Sequence, residues 1–110
     1  MTRRLLLLLS LICLPATALA AETAVRGAAS CGEWVAQRQK SGSLALTNTG
    51  WLIGFLAGLA QAGGKEFPPA LDNAAVYAWM DDYCREHPLK DTAAAAGVLV
   101  KEWPQKRAGK

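Results

Sequence analysis

Two cysteines, Cys31 and Cys84, constrain the fold of this chain more than any other feature of its 110 residues. They are the cysteines that remain if the N-terminal segment with Cys13 is removed on export. An even pair in an exported protein indicates a disulfide, and two cysteines allow a single pairing. The alternative is a buried free thiol at each position. A bridge that closes a loop this long contributes about 4 kcal/mol in the chain-entropy model, so we predict that the Cys31–Cys84 disulfide stabilises the fold strongly.

The first 20 residues have the features of a secretory signal peptide. Arg3 and Arg4 precede an apolar run over residues 5–14, and Ala18-Leu19-Ala20 is a cleavage site of the A-x-A type. The apolar run is too short to span a membrane. We expect cleavage after Ala20 and a periplasmic location.

Cleavage there leaves 90 residues, which suffice for one domain with a modest core. We divide the remaining chain into a loose N-terminal arm (21–29), a helical domain (30–104) and a basic tail (105–110). Loss of the two leader arginines lowers the formal net charge from +3 to +1. Nucleic-acid binding would need a basic face with interleaved aromatic residues, which the pattern lacks, so we expect no nucleic-acid partner.

The first helix is predicted over roughly residues 30–40. Ser30 with Glu33 three residues later has the spacing of a capping box, and Gly42 is expected to end the helix.

The third and fourth helices follow from hydrophobic periodicity. Asp72 or Asn73 caps a third helix over 73–87, and a fourth is predicted over 88–103 because Pro88 marks a break. The inward positions of the third helix are Val76, Trp79, Met80, Tyr83 and Cys84, and those of the fourth are Leu89, Ala93, Ala96, Leu99, Val100 and Trp103. No strand pattern competes, so the sequence predicts an all-α bundle of four helices.

The second helix is the most apolar part of the mature chain. Asn48 or Thr49 is its predicted N-cap, and Gly63-Gly64 its predicted end. Its apolar stretch covers about a dozen residues, whereas a membrane span needs about 20, so we interpret it as a buried central helix. The row of Gly50, Gly54 and Gly58 predicts a groove into which another helix packs closely. The alternative is that this groove binds the helix of a partner.

No catalytic motif was found in the sequence. Asp82, Glu86 and His87 are the sole clustered candidates, and we interpret them as a solvated face rather than a metal site. Asp81 and Arg85 have the spacing of an ordinary helical ion pair. We therefore expect no enzymatic activity, no metal and no cofactor, which leaves binding to another protein.

The arrangement resembles small periplasmic helical proteins of the HdeA-like group. The resemblance is carried by CGEWVAQR (31–38), WLIGFLAGL (51–59) and VYAWMDDYCREHPLKDTAAAAGVLVKEW (76–103). It implies a compact four-helix HdeA-like bundle with one disulfide. The glycine-containing second helix and the alanine-rich last helix look closer to the Tai-type immunity proteins than to the HdeA/HdeB acid-stress chaperones.

The resemblance implies two functions. A Tai-type immunity protein binds and inhibits a peptidoglycan-amidase effector delivered by a type VI secretion system, and we favour this function. The alternative is an acid-stress periplasmic chaperone, a dimer at neutral pH that opens in acid and holds unfolded clients. A homodimer is an open alternative for this chain as well.

An immunity protein needs a rigid scaffold with an exposed recognition loop, and residues 62–73 fit that need. Pro68-Pro69 would stiffen this loop, and Lys65, Glu66 and Phe67 would lie at its tip. We therefore predict that Lys65, Glu66, Phe67 and Pro68 contact the partner. The alternative is that the segment is a plain connection between helices.

Overall fold

The computed structural model describes residues 24–103, so the predicted signal peptide (1–20) and basic tail (105–110) lie outside the described residues. Its four helices are α1 (Cys31–Lys40), α2 (Ser43–Ala62), α3 (Asn73–Glu86) and α4 (Thr92–Glu102). Between residues 24 and 103 there is no strand, and the extended backbone pairs solely in an isolated antiparallel bridge between Ser30 and Asp91. The predicted all-α, four-helix fold is confirmed.

Side-chain caps begin three of the four helices. Ser30, Asp72 and Asp91 precede α1, α3 and α4, and each side-chain oxygen accepts a hydrogen bond from the backbone N–H three residues further on, at 3.1, 2.8 and 2.8 Å. Such caps satisfy backbone donors that the first helical turn leaves without partners. The sequence predicted the first two of these caps and missed the third.

Helix α2 begins at Ser43, five residues before the predicted Asn48. The two predicted caps, Asn48 and Thr49, lie inside the helix instead. The hydroxyl of Thr49 donates to the Ala45 carbonyl at 2.9 Å, and that of Thr47 donates to the Ser43 carbonyl at 3.0 Å. This bonding to the carbonyl four residues back satisfies the hydroxyl within a continuing helix. The α1–α2 connection is therefore two residues long, with Ser41 in the left-handed region at φ 53°.

Helix α4 begins later than predicted. Residues 88–91 form a turn, because Asp91 caps the helix and the backbone N–H of Cys31 donates to the Lys90 carbonyl at 2.9 Å. Leu89, predicted to face inward, is 98% exposed as a result. Three of the other positions that were predicted to face inward, Ala96, Leu99 and Trp103, are buried.

The four helices surround one core. Helix α1 packs against α2 and α3, and α4 packs against the same two helices. The largest buried side chains come from all four helices and their flanks: Trp34, Leu52, Leu56, Val76, Met80, Leu99 and Trp103. Truncating such a residue typically costs about 2–5 kcal/mol.

The Cys31–Cys84 disulfide is confirmed, and both sulfur-bearing side chains are buried in the core. It joins the first residue of α1 to the last turn of α3 across 53 positions of sequence, with the Cα atoms 4.7 Å apart. It therefore holds together two helices that are far apart along the chain.

Residues 24–29, the described part of the predicted loose arm, are attached to the bundle. The Ala29 amide donates to the hydroxyl of the buried Thr92 at 3.1 Å. The Trp51 indole N–H donates to the Arg26 carbonyl at 3.2 Å, where Gly27 has a φ of +89° and lies directly against the Trp51 ring. A side chain at position 27 would meet that ring, so the close approach needs glycine.

Helix α2 is longer than the apolar stretch of about a dozen residues on which the sequence argument against a membrane span was based. At 20 residues with a mean hydropathy of 1.3, it is long and apolar enough to cross a membrane. Its packing is the better criterion: Leu52 and Leu56 are fully buried among residues of the other helices. These contacts make α2 a helix of the bundle. It is not the buried central helix that the sequence predicted, however, because 28% of its apolar window is buried.

Candidate functional site

The loop that follows α2 is fixed by backbone hydrogen bonds. The Lys65 N–H donates to the Ala60 carbonyl at 2.8 Å and the Gly64 N–H to the Gln61 carbonyl at 3.2 Å. With Gly64 at φ +64°, these two bonds form a Schellman motif, the turn that ends many helices. The predicted helix end at Gly63-Gly64 is confirmed.

The predicted recognition residues do not form a projecting tip. Lys65 donates through Nζ to the Val100 carbonyl at 3.1 Å, in the last turn of α4, where a cation is favoured by the helix dipole. Phe67 packs against Trp103 with ring centroids 5.0 Å apart. Of the four residues, Glu66 is exposed, and Lys65, Phe67 and Pro68 are half-buried. The loop is therefore folded onto the end of α4, and whether its residues bind a partner stays a prediction.

An apolar cleft of about 330 Å³ opens where this loop meets α3 and α4. It is lined by Pro68, Ala70, Leu71, Trp79, Leu99, Glu102 and Trp103. Three segments that are distant in sequence build it, which is why periodicity assigned Trp79, Leu99 and Trp103 to the core alone. The available signal was two tryptophans, one within the predicted stripe of the third helix and one at the end of that of the fourth.

Trp103 in the cleft wall carries a buried donor without an acceptor. The side chain is 4% exposed, and its indole Nε1 has no hydrogen-bond partner among residues 24–103. A buried N–H in this state costs about 1–3 kcal/mol. The side-chain Nδ2 of Asn48 in α2 is likewise buried without a partner among the described residues, so this state is not confined to the cleft.

An aromatic ladder continues from the cleft along α3. Trp79 stacks on Tyr83 with centroids 5.2 Å apart, and Tyr83 stacks on His87 at 4.1 Å. The His87 ring is also oriented by its Nδ1, which lies 2.9 Å from the Tyr83 carbonyl oxygen. The ladder holds the Trp79 ring in place, so the cleft wall on the α3 side is rigid.

The glycine row of α2 is not the internal groove that the sequence predicted. Gly50, Gly54 and Gly58 are exposed, and a Cβ placed on any of them would meet no atom within 4 Å. The helix buries the opposite face through Leu52 and Leu56, because larger side chains remove more apolar surface from water. The alternative, that this face binds a partner's helix, stays a prediction.

The same helix exposes apolar surface near its start. Leu44 is 53% exposed and Leu46 is 75% exposed. None of the 20 residues of α2 is charged. This face is therefore uncharged over its whole length, at any pH.

A polar network that the sequence analysis missed joins α1 to α3. The indole N–H of the fully buried Trp34 donates to Asp81 Oδ1 at 2.8 Å, and Arg38 donates through Nε and Nη2 to the two Asp81 oxygens at 3.0 and 3.1 Å. The Arg38 guanidinium also lies 5.4 Å from the centroid of the Tyr77 ring. The hydrogen bonds to Asp81 raise the pKa of Arg38 above its ordinary value, outweighing partial desolvation, which lowers it. Because its pKa is raised, the Arg38 guanidinium stays positively charged throughout the accessible pH range.

The predicted ion pair between Asp81 and Arg85 is wrong. Arg85 pairs instead with Asp82, at 2.9 Å on the exposed face of α3. Asp81 is turned toward α1, where three donors from two side chains outweigh one exposed contact within the helix. Among residues 24–103, no group of three or more His, Cys, Asp or Glu side chains is placed to hold a metal ion.

No family profile, curated protein or solved structure matches this chain. The structure itself defines an all-α bundle with one disulfide and an apolar cleft beside α4.

Proposed function

We propose that this chain is a non-enzymatic, exported protein-binding protein of the HdeA-like kind, and that it acts as a Tai-type immunity protein that inhibits a peptidoglycan-amidase effector. The observation that carries the proposal is the apolar cleft beside α4, which Trp79, Leu71 and Pro68 line together with the exposed carboxylate of Glu102. An exposed concave apolar surface with a few polar groups is typical of a binding site.

The rigidity of the cleft supports a specific partner over a changing set of clients. The loop is fixed by its Schellman motif and by the bond from Lys65 to α4, and the α3 wall is fixed by aromatic stacking. The disulfide holds α3 to α1. A surface that is ordered before binding loses less conformational entropy when the partner docks.

The second candidate is the acid-stress chaperone, which the exposed face of α2 favours. Its leucines and open glycine row offer uncharged surface to an unfolded client, and this surface keeps its character in acid because it carries no ionisable group. The cleft and the α2 face are different surfaces, so variants can separate the two functions.

The test is affinity capture from periplasmic extract and secreted fractions, with oxidised residues 21–110 as bait. We expect one partner in stoichiometric amount at neutral pH, and a hydrolase activity that falls when the bait is added. The acid chaperone would instead hold many different clients after a drop to about pH 2–3 and none at neutral pH. That second result would contradict the immunity proposal.

A further inference from the structure

We propose that a polar cavity between the end of α1 and helix α3 binds a ligand through a carboxylate group. The cavity has a volume of about 340 Å³ and is lined by Val35, Arg38, Gln39, Ser41, Asp81 and Arg85. It shares no lining residue with the apolar cleft beside α4, so this inference goes beyond the proposed function and does not depend on it. Three observations carry it: a surplus of donors, a fixed guanidinium group and a matching charge.

The lining of this polar cavity offers many hydrogen-bond donors and few open acceptors. A guanidinium group has five N–H donors and no acceptor. Arg38 uses two of its donors on Asp81, and Arg85 uses one on Asp82. The two oxygens of Asp81, in contrast, already accept three hydrogen bonds. A ligand that complements this lining therefore supplies acceptors, as an oxyanion does.

The Arg38 guanidinium is held in position before a ligand binds. Its Nε and Nη2 atoms bond to Asp81, and its central carbon lies 5.9 Å from the ring centroid of Trp34 and 5.4 Å from that of Tyr77. The side chain is nevertheless 35% exposed. The second edge of the group, formed by Nη1 and Nη2, has the donor spacing that binds a carboxylate with two parallel hydrogen bonds. Because the group is already ordered, little conformational entropy is lost on binding.

The charge and the size of the polar cavity favour one carboxylate. Arg38 and Arg85 exceed Asp81 by one positive charge among the lining residues. A singly charged carboxylate balances this charge, whereas a doubly charged phosphate exceeds it. The volume of about 340 Å³ is at the small end of the range for ligand sites, which suits a ligand of about amino-acid size. Both a small free acid and an acidic residue of a protein carry such a group.

The test is an NMR titration of the oxidised ¹⁵N-labelled protein at neutral pH. The probes are N-acetylglutamate α-amide, its uncharged counterpart N-acetylglutamine α-amide, propionate and inorganic phosphate. The indole N–H of Trp34 and the Nε–H of Arg38 report on the site, because both bond to Asp81. The indoles of Trp51 and Trp79 do not line the cavity and serve as references.

We expect the glutamate amide to shift the signals of Trp34 and Arg38 in a saturable way and to leave the two reference indoles unchanged. The glutamine amide should shift neither reporter, and phosphate should bind more weakly than the glutamate amide. Tighter binding of the glutamate amide than of propionate would assign the site to an acidic residue of a protein. Equal binding of the two carboxylates would assign it to a small free acid.

Two variants with opposite expected effects test the role of Arg85. Arg85→Gln should weaken binding of the glutamate amide by about twofold to fivefold, the range for an exposed ion pair. Asp82→Asn should strengthen it, because the substitution removes the carboxylate that competes for Arg85. The two side chains are 61% and 74% exposed, so both variants are expected to fold. Lys90→Gln is the control, because it removes an exposed charge from the turn that bonds to the start of α1, whereas the cavity lies at its end.

Four results would overturn the inference. They are no saturable shift at Trp34 or Arg38, equal binding of the glutamine amide, tighter binding of phosphate than of the glutamate amide, and equal losses of affinity in Arg85→Gln and Lys90→Gln. The last result would mean that the net charge of the protein attracts the probe and that Arg85 has no specific role. Unchanged binding by Arg85→Gln would contradict the assignment of that residue to the site in the same way.

Discussion

Substituting Gly54 by alanine should stabilise the protein. Gly54 lies near the middle of the 20-residue helix α2, and a Cβ there would meet no atom within 4 Å. The added methyl therefore creates no clash, and what remains is the helix propensity of alanine over glycine, worth about 0.8–1 kcal/mol. For a domain of this size, that corresponds to a rise in Tm of about 4–8 °C.

The measurement is thermal unfolding of the oxidised protein followed by far-UV circular dichroism at neutral pH. Gly27→Ala is the matched control, because Gly27 has a φ of +89° and its Cβ would lie 2.5 Å from Trp51 Nε1. This variant should be destabilised by the same methyl group. A stabilising Gly54→Ala and a destabilising Gly27→Ala together would establish that the glycine face of α2 is open.

A lower Tm for Gly54→Ala would refute this reasoning, since it would mean that another surface packs against the glycine row. Repeating the thermal unfolding at several protein concentrations would then distinguish two possibilities for that surface. A loss of stability that grows with protein concentration would indicate a second copy of the chain, as in the homodimer that the sequence left open. A loss independent of concentration would indicate the internal groove first predicted.

Three further predictions concern contacts that hold the bundle together, each checked by urea unfolding. Replacing both Cys31 and Cys84 by alanine should lower the free energy of unfolding by about 4 kcal/mol. That is a large share of the roughly 5–15 kcal/mol typical of a domain. A loss below about 1 kcal/mol would contradict the role given to the disulfide. Asp81→Ala should cost about 2–3 kcal/mol because it removes the acceptor of a buried indole and an ion pair, whereas the neighbouring Asp82→Ala should cost less than about 0.5 kcal/mol; equal effects would refute the network. Thr92→Val should cost about 1–3 kcal/mol because the Ala29 amide loses its acceptor, and Thr92→Ser, which keeps the hydroxyl, should cost clearly less.

The sequence predicted those parts of the fold that local interactions decide. Helix α1 and the start of α3 followed from caps whose donor and acceptor lie three residues apart, and both caps are present. The disulfide followed from counting, because two cysteines allow one pairing. Local signals failed at the start of α2, where the predicted caps Asn48 and Thr49 lie inside the helix and the Thr49 hydroxyl bonds to the Ala45 carbonyl.

Long-range packing explains what the sequence did not predict. The glycine row identified a face of small residues on α2, but a row of this kind does not indicate whether that face points inward or outward. Asp81 had an arginine at helical spacing, yet it bonds to Arg38, which is 43 residues away in the chain. The cleft beside α4 depends on three separate segments meeting, which no periodicity within one segment reveals.

The central claim is that this bundle works by binding one partner protein through the cleft beside α4. The most direct test is calorimetric titration of the captured partner, at neutral pH, into oxidised wild type, Trp79→Ala and Gly54→Ala. We predict one partner per chain, a loss of at least about tenfold in affinity for Trp79→Ala, as expected for an aromatic residue central to an interface, and unchanged affinity for Gly54→Ala. Equal affinity for folded Trp79→Ala and wild type would contradict the claim, and weaker binding by Gly54→Ala alone would contradict it and place the interface on α2.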